Sequence, residues 1–103
     1  MSIIDNFEKM LAQGQDNAML RYTLGNAYFN EQQYPSAITH LRKALEHDPE
    51  YSVAWKILGK ALVANGEENE AIEVYRKGLE VAAKKGDKQA EKEMQVFLKR
   101  LLK

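Results

Sequence analysis

A 34-residue self-similarity constrains this chain more than any other feature. Leu24-Gly25 is followed by Tyr28, Ala37, Leu41 and Ala44, and the same intervals counted from Leu58-Gly59 reach Leu62, Ala71, Tyr75 and Gly78. A repeat of this length fixes the architecture, because each unit is one supersecondary element that buries its apolar face only against the next. Within each unit the apolar residues recur at three and four, as amphipathic helices require, with a break between two such runs. Each unit is therefore expected to be an antiparallel helical hairpin.

Punctuation residues set the expected bounds. The first hairpin spans about 18–30 and 35–47, with Asn17 as N-cap, Pro35 at a first helical position and Pro49 beyond the end. The second spans about 52–64 and 68–83, with Ser52 as cap and Gly66 and Gly86 past its two helices. A final helix over about 87–102 has Asp87 as cap and the apolar stripe Ala90, Met94, Phe97, Leu98, Leu101 and Leu102. At the other end Ile3, Ile4, Phe7, Met10 and Leu11 give a leading helix over about 2–13 that stops near Gly14. Nowhere do β-branched residues alternate with polar ones for a strand's length. The 103 residues are 45% hydrophobic and 29% charged, which suits one packed domain. Met94, Phe97, Leu98, Leu101 and Leu102 separate two roles for the last helix: burial of all five within the chain makes it a cap, while exposure of a subset points to assembly.

The repeats resemble the tetratricopeptide repeat pattern of Trp, two residues, Leu-Gly, two residues, Tyr, then Ala, three residues, Phe and a closing Pro. The second unit supplies Trp55, Leu58-Gly59, Ala71 and Tyr75, with Leu62 in the Tyr place and Ala83 in that of Pro. The first supplies Leu24-Gly25, Tyr28, Ala37, Leu41, Ala44 and Pro49, with Arg21 in the Trp place. The resemblance covers residues 18–84 and implies an all-α, right-handed superhelical stack of two hairpins, about 18–50 and 52–84, between a leading and a capping helix. Gly25 and Gly59 would let paired helices approach, with Ala37 and Ala71 facing them.

In such stacks the first helices line a concave groove, the usual ligand surface. Helical spacing puts Met19, Tyr22, Thr23, Asn26, Phe29 and Asn30 on that face, and the offset adds Val53, Lys56, Ile57, Lys60 and Val63. Lys88 and Lys92 of the last helix would stand beside them. The mixture suits a peptide or protein segment, acidic or bearing a C-terminal carboxylate, whose apolar side chains dock while its carboxylates meet lysines. For Tyr22, Phe29 and Ile57 the competing reading is packing between layers; for the lysines it is simple solvation. A carboxylate clamp, which some family members use, is matched only in part: Asn26 is in place, but Tyr22 and Ile57 occupy a Lys and an Asn position. Lys88 and Lys92 fit it only with one residue inserted.

Chemistry is not expected. His40 and His47 lie seven residues apart on one helix, about 10 Å along its axis, too far to share a metal unaided, and both are expected at the surface. Glu67, Glu68, Glu70 and Glu73 read as helix-start carboxylates. The glycines form neither a phosphate loop nor a dinucleotide fingerprint, and no cysteine supplies a thiolate. No cofactor, metal or catalytic residue is assigned.

Charge is distributed unevenly about a formal net of zero. Residues 1–50 carry seven acids and four bases, residues 51–103 eight and eleven. Glu91 and Glu93 in the basic last helix argue against nucleic-acid binding. With neither a basic apolar leader nor a membrane-length apolar run, the expected location is the cytoplasm. An adaptor or scaffold is thus the leading expectation; a self-associating unit or a fragment of a larger array, joined through its apolar terminal helices, is the alternative.

Overall fold

The computed structural model describes residues 2–103, all of whose regular structure is helical: α1 (Ile3–Ala12), α2 (Ala18–Asn30), α3 (Tyr34–His47), α4 (Ser52–Ala64), α5 (Glu68–Lys85) and α6 (Lys88–Leu101). Consecutive helices pack on one another, and α4 also touches α2 and α6. This is the contact pattern of a stack whose every first helix sits on the previous hairpin.

Local chemistry explains most of the boundaries. Leu20 N–H donates to Asn17 Oδ1 at 2.8 Å, and Ala90 N–H donates to Asp87 Oδ1 at 3.1 Å, so both residues act as N-caps. Gly14, Gly66 and Gly86 follow α1, α4 and α5 with φ of 88°, 81° and 74°, the left-handed conformation that glycine adopts without a Cβ penalty. Ser52 departs from expectation. It is the first residue of α4, with Tyr51 at the cap position, and its buried hydroxyl donates instead to Asp87 Oδ2 at 2.5 Å. The hydroxyl thereby ties the start of α4 to the start of α6. Glu68 and Glu70 lie in the first turn of α5, and Glu70 pairs with Arg42 on α3.

The main core runs through both hairpins and into α6, with Leu41, Leu58, Leu62, Tyr75 and Met94 almost wholly buried. Ala37 does face Gly25, its carbonyl oxygen 3.3 Å from the position of a Cβ, but the closest approach at both glycines is to a larger side chain. A Cβ on Gly25 would stand 2.6 Å from Leu41 Cγ, and one on Gly59 would stand 2.2 Å from Tyr75 Cε1. The second helix presents its large side chain one turn beyond the alanine, and the glycine is the space it fills. Gly78 plays the same part for Met94 Sδ, at 2.6 Å from the position of a Cβ. That contact locks α6 onto α5.

A smaller cluster of Ile4, Leu20 and Leu24, with Phe7, Met10 and Leu11 against it, seats α1 on α2. Beside it runs a polar chain. Tyr28 donates to Glu8 at 2.5 Å, and Arg21 donates to Asp16 through two nitrogens and to His40 Nδ1 at 3.0 Å. His40 is therefore not a surface residue: its ring stacks on Tyr28 at 5.4 Å and its side chain is only 12% exposed. Because guanidinium only donates, Nδ1 must accept, which fixes the neutral ring with its proton on Nε2. Burial, chiefly, holds the pKa of His40 below the ordinary value. His47 is exposed, as expected.

The last helix is divided in the test set for it. Met94 is fully buried, Phe97, Leu98 and Leu101 are partly buried against the core, and Leu102 is 54% exposed. It caps the stack and still presents apolar surface.

Candidate peptide-binding groove

The face shared by α2, α4 and α6 carries a recess of about 280 Å3. Its lining comes from Phe29 on α2, from Lys60, Val63 and Ala64 on α4, from Tyr75 on α5, and from Phe97, Arg100 and Leu101 on α6. The positions follow from helical periodicity: Lys60, Val63 and Ala64 recur at three and four, as do Phe97, Arg100 and Leu101. Tyr75, filling the Gly59 slot, forms part of the wall.

Two cations stand in this apolar setting. Lys60 Nζ lies 5.4 Å from the centroid of Phe29 and 5.8 Å from that of Phe97, between the two rings, and the Arg100 guanidinium lies 6.0 Å from Phe97. Ring faces carry negative partial charge and hold a cation without neutralising it. Neither Lys60 nor Arg100 has an ion-pair partner among the described residues, and no carboxylate lines the recess. The recess is thus apolar at its base and positive at its edge.

One turn earlier on α4 the situation reverses. Lys56 pairs with Glu93 on α6 at 3.2 Å, and Gln89 also donates to Glu93 at 3.0 Å. These two hydrogen bonds, that of Gln89 first, hold the Glu93 carboxyl below its usual range. The lysine side chain is 17% exposed. Its charge is spent inside the molecule, which joins α4 to α6 across the groove.

The residues singled out in the sequence are distributed as follows. Phe29 and Lys60 line the recess, while Lys56 faces α6. Tyr22 is half-buried with its ring 5.1 Å from that of Tyr51, and burial raises its pKa. Asn26 and Val53 are half-buried and Asn30 is exposed. Ile57 belongs to the core, which removes it from the groove surface. Lys88 and Lys92 are exposed and outside the recess, because the face of α6 turned toward α4 is that of Glu93, Phe97 and Arg100. None of the three positions that match the clamp, Asn26, Lys88 and Lys92, lines the recess. Phe97 and Arg100, which complete the recess, were not singled out as groove residues; their spacing from Glu93, at four and then three, is the signal that groups them.

A long, strongly apolar helix is lacking among the described residues, none being able to cross a membrane, and no cluster of three or more His, Cys, Asp or Glu is placed to hold a metal ion.

Comparison with known proteins agrees with the geometry. The tetratricopeptide repeat model matches residues 22–88. The chain is 50% identical over 99 residues to the TPR repeat-containing protein PA0015 of Pseudomonas aeruginosa, an alignment spanning 96% of this chain and 94% of that protein. It also resembles the solution structure of protein BPP2914 from Bordetella parapertussis, with a TM-score of 0.87 and 49% identity, over 99% of this chain and 89% of that one. A tetratricopeptide repeat domain protein from Salinibacter ruber shares the fold, with a TM-score of 0.77 at 24% identity over 84% of this chain and 96% of that one. The chain belongs to the tetratricopeptide repeat family.

Proposed function

We propose that the protein is an adaptor or scaffold that binds a peptide or protein segment in the concave groove. An apolar side chain of the segment enters the recess, and a neighbouring carboxylate, from an acidic side chain or a C-terminus, meets Lys60 and Arg100. Tetratricopeptide repeat domains are in general protein-interaction modules, which supports the class of function. The observation that carries the finer reading is the composition of the recess: two cations without ion-pair partners among the described residues, on an apolar base, with no acid in the lining. Apolar burial supplies affinity there, and a carboxylate neutralises charges that the aromatic rings hold without neutralising.

Selection from a random peptide library tests this directly. Wild-type protein should enrich sequences with an aliphatic or aromatic residue beside Asp or Glu. The Lys60→Glu, Arg100→Glu variant should lose them, and Lys88→Glu, Lys92→Glu should retain them. Enrichment of the same peptides by the Lys60→Glu, Arg100→Glu variant would remove the recess as the binding site.

A further inference from the structure

The two terminal helices are complementary halves of a hairpin. The 34-residue offset that relates the repeats carries Ile3, Phe7, Met10 and Leu11 onto Ala37, Leu41, Ala44 and Leu45 of α3. So α1 is a second helix with no first helix of its own among the described residues. Counted 36 residues from α4, Ala90, Met94 and Leu98 of α6 fall on Ala54, Leu58 and Leu62, and the caps Tyr51 and Asp87 coincide. In keeping with this, α6 packs on α5 and α4 as α4 packs on α3 and α2. It is a first helix with no second helix after it among the described residues.

Two of the four exposed large apolar residues among the described residues, Ile3 and Leu102, lie on the faces that a neighbouring helix covers in the complete hairpins; Met19 and Val96 are the other two. Ile3 is 53% exposed, whereas Ala37, its counterpart in the complete hairpin, is fully buried. Leu98 is only partly buried where Leu62 is fully so, and Leu102 continues that face at 54% exposure. Burial differs at equivalent positions because a neighbouring helix differs.

We propose that the protein stacks head to tail with further copies of itself, α6 of one copy and α1 of the next forming a composite hairpin across the junction. A second copy is the occupant for two reasons. It brings a complementary half-hairpin at the register the repeat dictates. The chain is also dipolar, with three more acids than bases in residues 1–50 and three more bases than acids in residues 51–103, so unlike ends attract while like ends repel. Such a contact uses two different surfaces and leaves each end free for another copy, so it builds open chains and not closed dimers. Gln95 occupies the place of Gly25 and Gly59 and keeps the helices further apart than within a copy. The junction is accordingly weaker than the intramolecular hairpins and forms reversibly. Neither Ile3 nor Leu102 lines the recess, so substitutions there leave its lining intact.

Sedimentation velocity over a wide concentration range, with Ile3→Asp and Leu102→Asp, provides the test. Both sites are exposed, so circular dichroism should show unchanged helix. The wild type should grow past dimer with concentration, and less so at high salt. Each variant alone should stay monomeric, and an equimolar mixture should stop at dimer, one intact α6 face meeting one intact α1 face. A wild type that stays monomeric at millimolar concentration, one that stops at dimer, or a mixture that stays monomeric while the wild type assembles would each overturn the proposal.

Discussion

Lys56 on α4 and Glu93 on α6 are joined at 3.2 Å across the middle of the groove. The pair divides α4: the Lys56 charge is matched within the fold, while Lys60, one turn on, has no ion-pair partner among the described residues. It also fastens α6, together with the Ser52–Asp87 bond and the seating of Met94 against Gly78.

Reversing one member should loosen that fastening. Lys56→Glu sets two carboxylates face to face and should cost at least about 1 kcal/mol, the upper end for partly exposed pairs. For a domain of this size that lowers Tm by about 4 to 8 °C. Calorimetry should show it, and adding Glu93→Lys should recover most of the loss.

At Gly59 an alanine gains up to about 1 kcal/mol of helix propensity, yet its Cβ would stand 2.2 Å from a buried Tyr75 ring atom. The ring cannot yield without disturbing α4 and α5, so the clash wins. Gly59→Ala should be destabilising on urea titration by about 1 to 3 kcal/mol, and Gly59→Leu should unfold the second hairpin.

Asp87 accepts from both Ala90 N–H and the buried Ser52 hydroxyl, which together hold its carboxyl below the usual range, Ser52 first. Asp87→Ala removes a cap, at about 1 kcal/mol, and leaves the hydroxyl without its acceptor. It should therefore cost more in urea midpoint than Ser52→Ala, while Asp87→Asn, which still accepts, should lie closest to wild type.

Stability should also fall with acid through His40. Its folded pKa is below the ordinary histidine value of 6.5, chiefly from burial and secondarily from Arg21, although Glu8 and Asp16 pull the other way. The folded state then binds fewer protons than the unfolded, so the contribution is complete above pH 6.5 and is lost as pH falls through the lower folded value. His40→Gln should flatten the dependence of the urea midpoint on pH in that window. A separate loss, from Asp16 held at about 2 chiefly by Arg21, should appear only between about pH 4 and 2.

The stack was legible in the sequence because a 34-residue repeat of Leu-Gly and small residues leaves one way to bury the apolar faces. Helix ends carried by Asn17, Asp87, Gly66 and Gly86 were readable for the same local reason. Ser52 was not: as a residue type it caps helices, but here a carboxylate 35 residues away competes for its hydroxyl. His40 and Lys56 illustrate the same limit, since their partners Arg21, Glu8 and Glu93 lie on other helices. The groove was legible as far as α2 and α4, where the repeat fixes orientation. At α6, which follows two extra residues relative to the 34-residue repeat, the rotation that brings Phe97 and Arg100 inward is set by Met94 packing on Gly78.

Binding in the recess is tested most directly by an NMR titration of the intact protein with two peptides: a leucine flanked by glutamates, and the same leucine flanked by lysines. Only the acidic peptide should shift amide signals, and the largest shifts should fall at Phe29, Lys60, Val63, Phe97 and Arg100. Equal response to both peptides, or shifts confined to the opposite face around Leu45 and Val74, would contradict it.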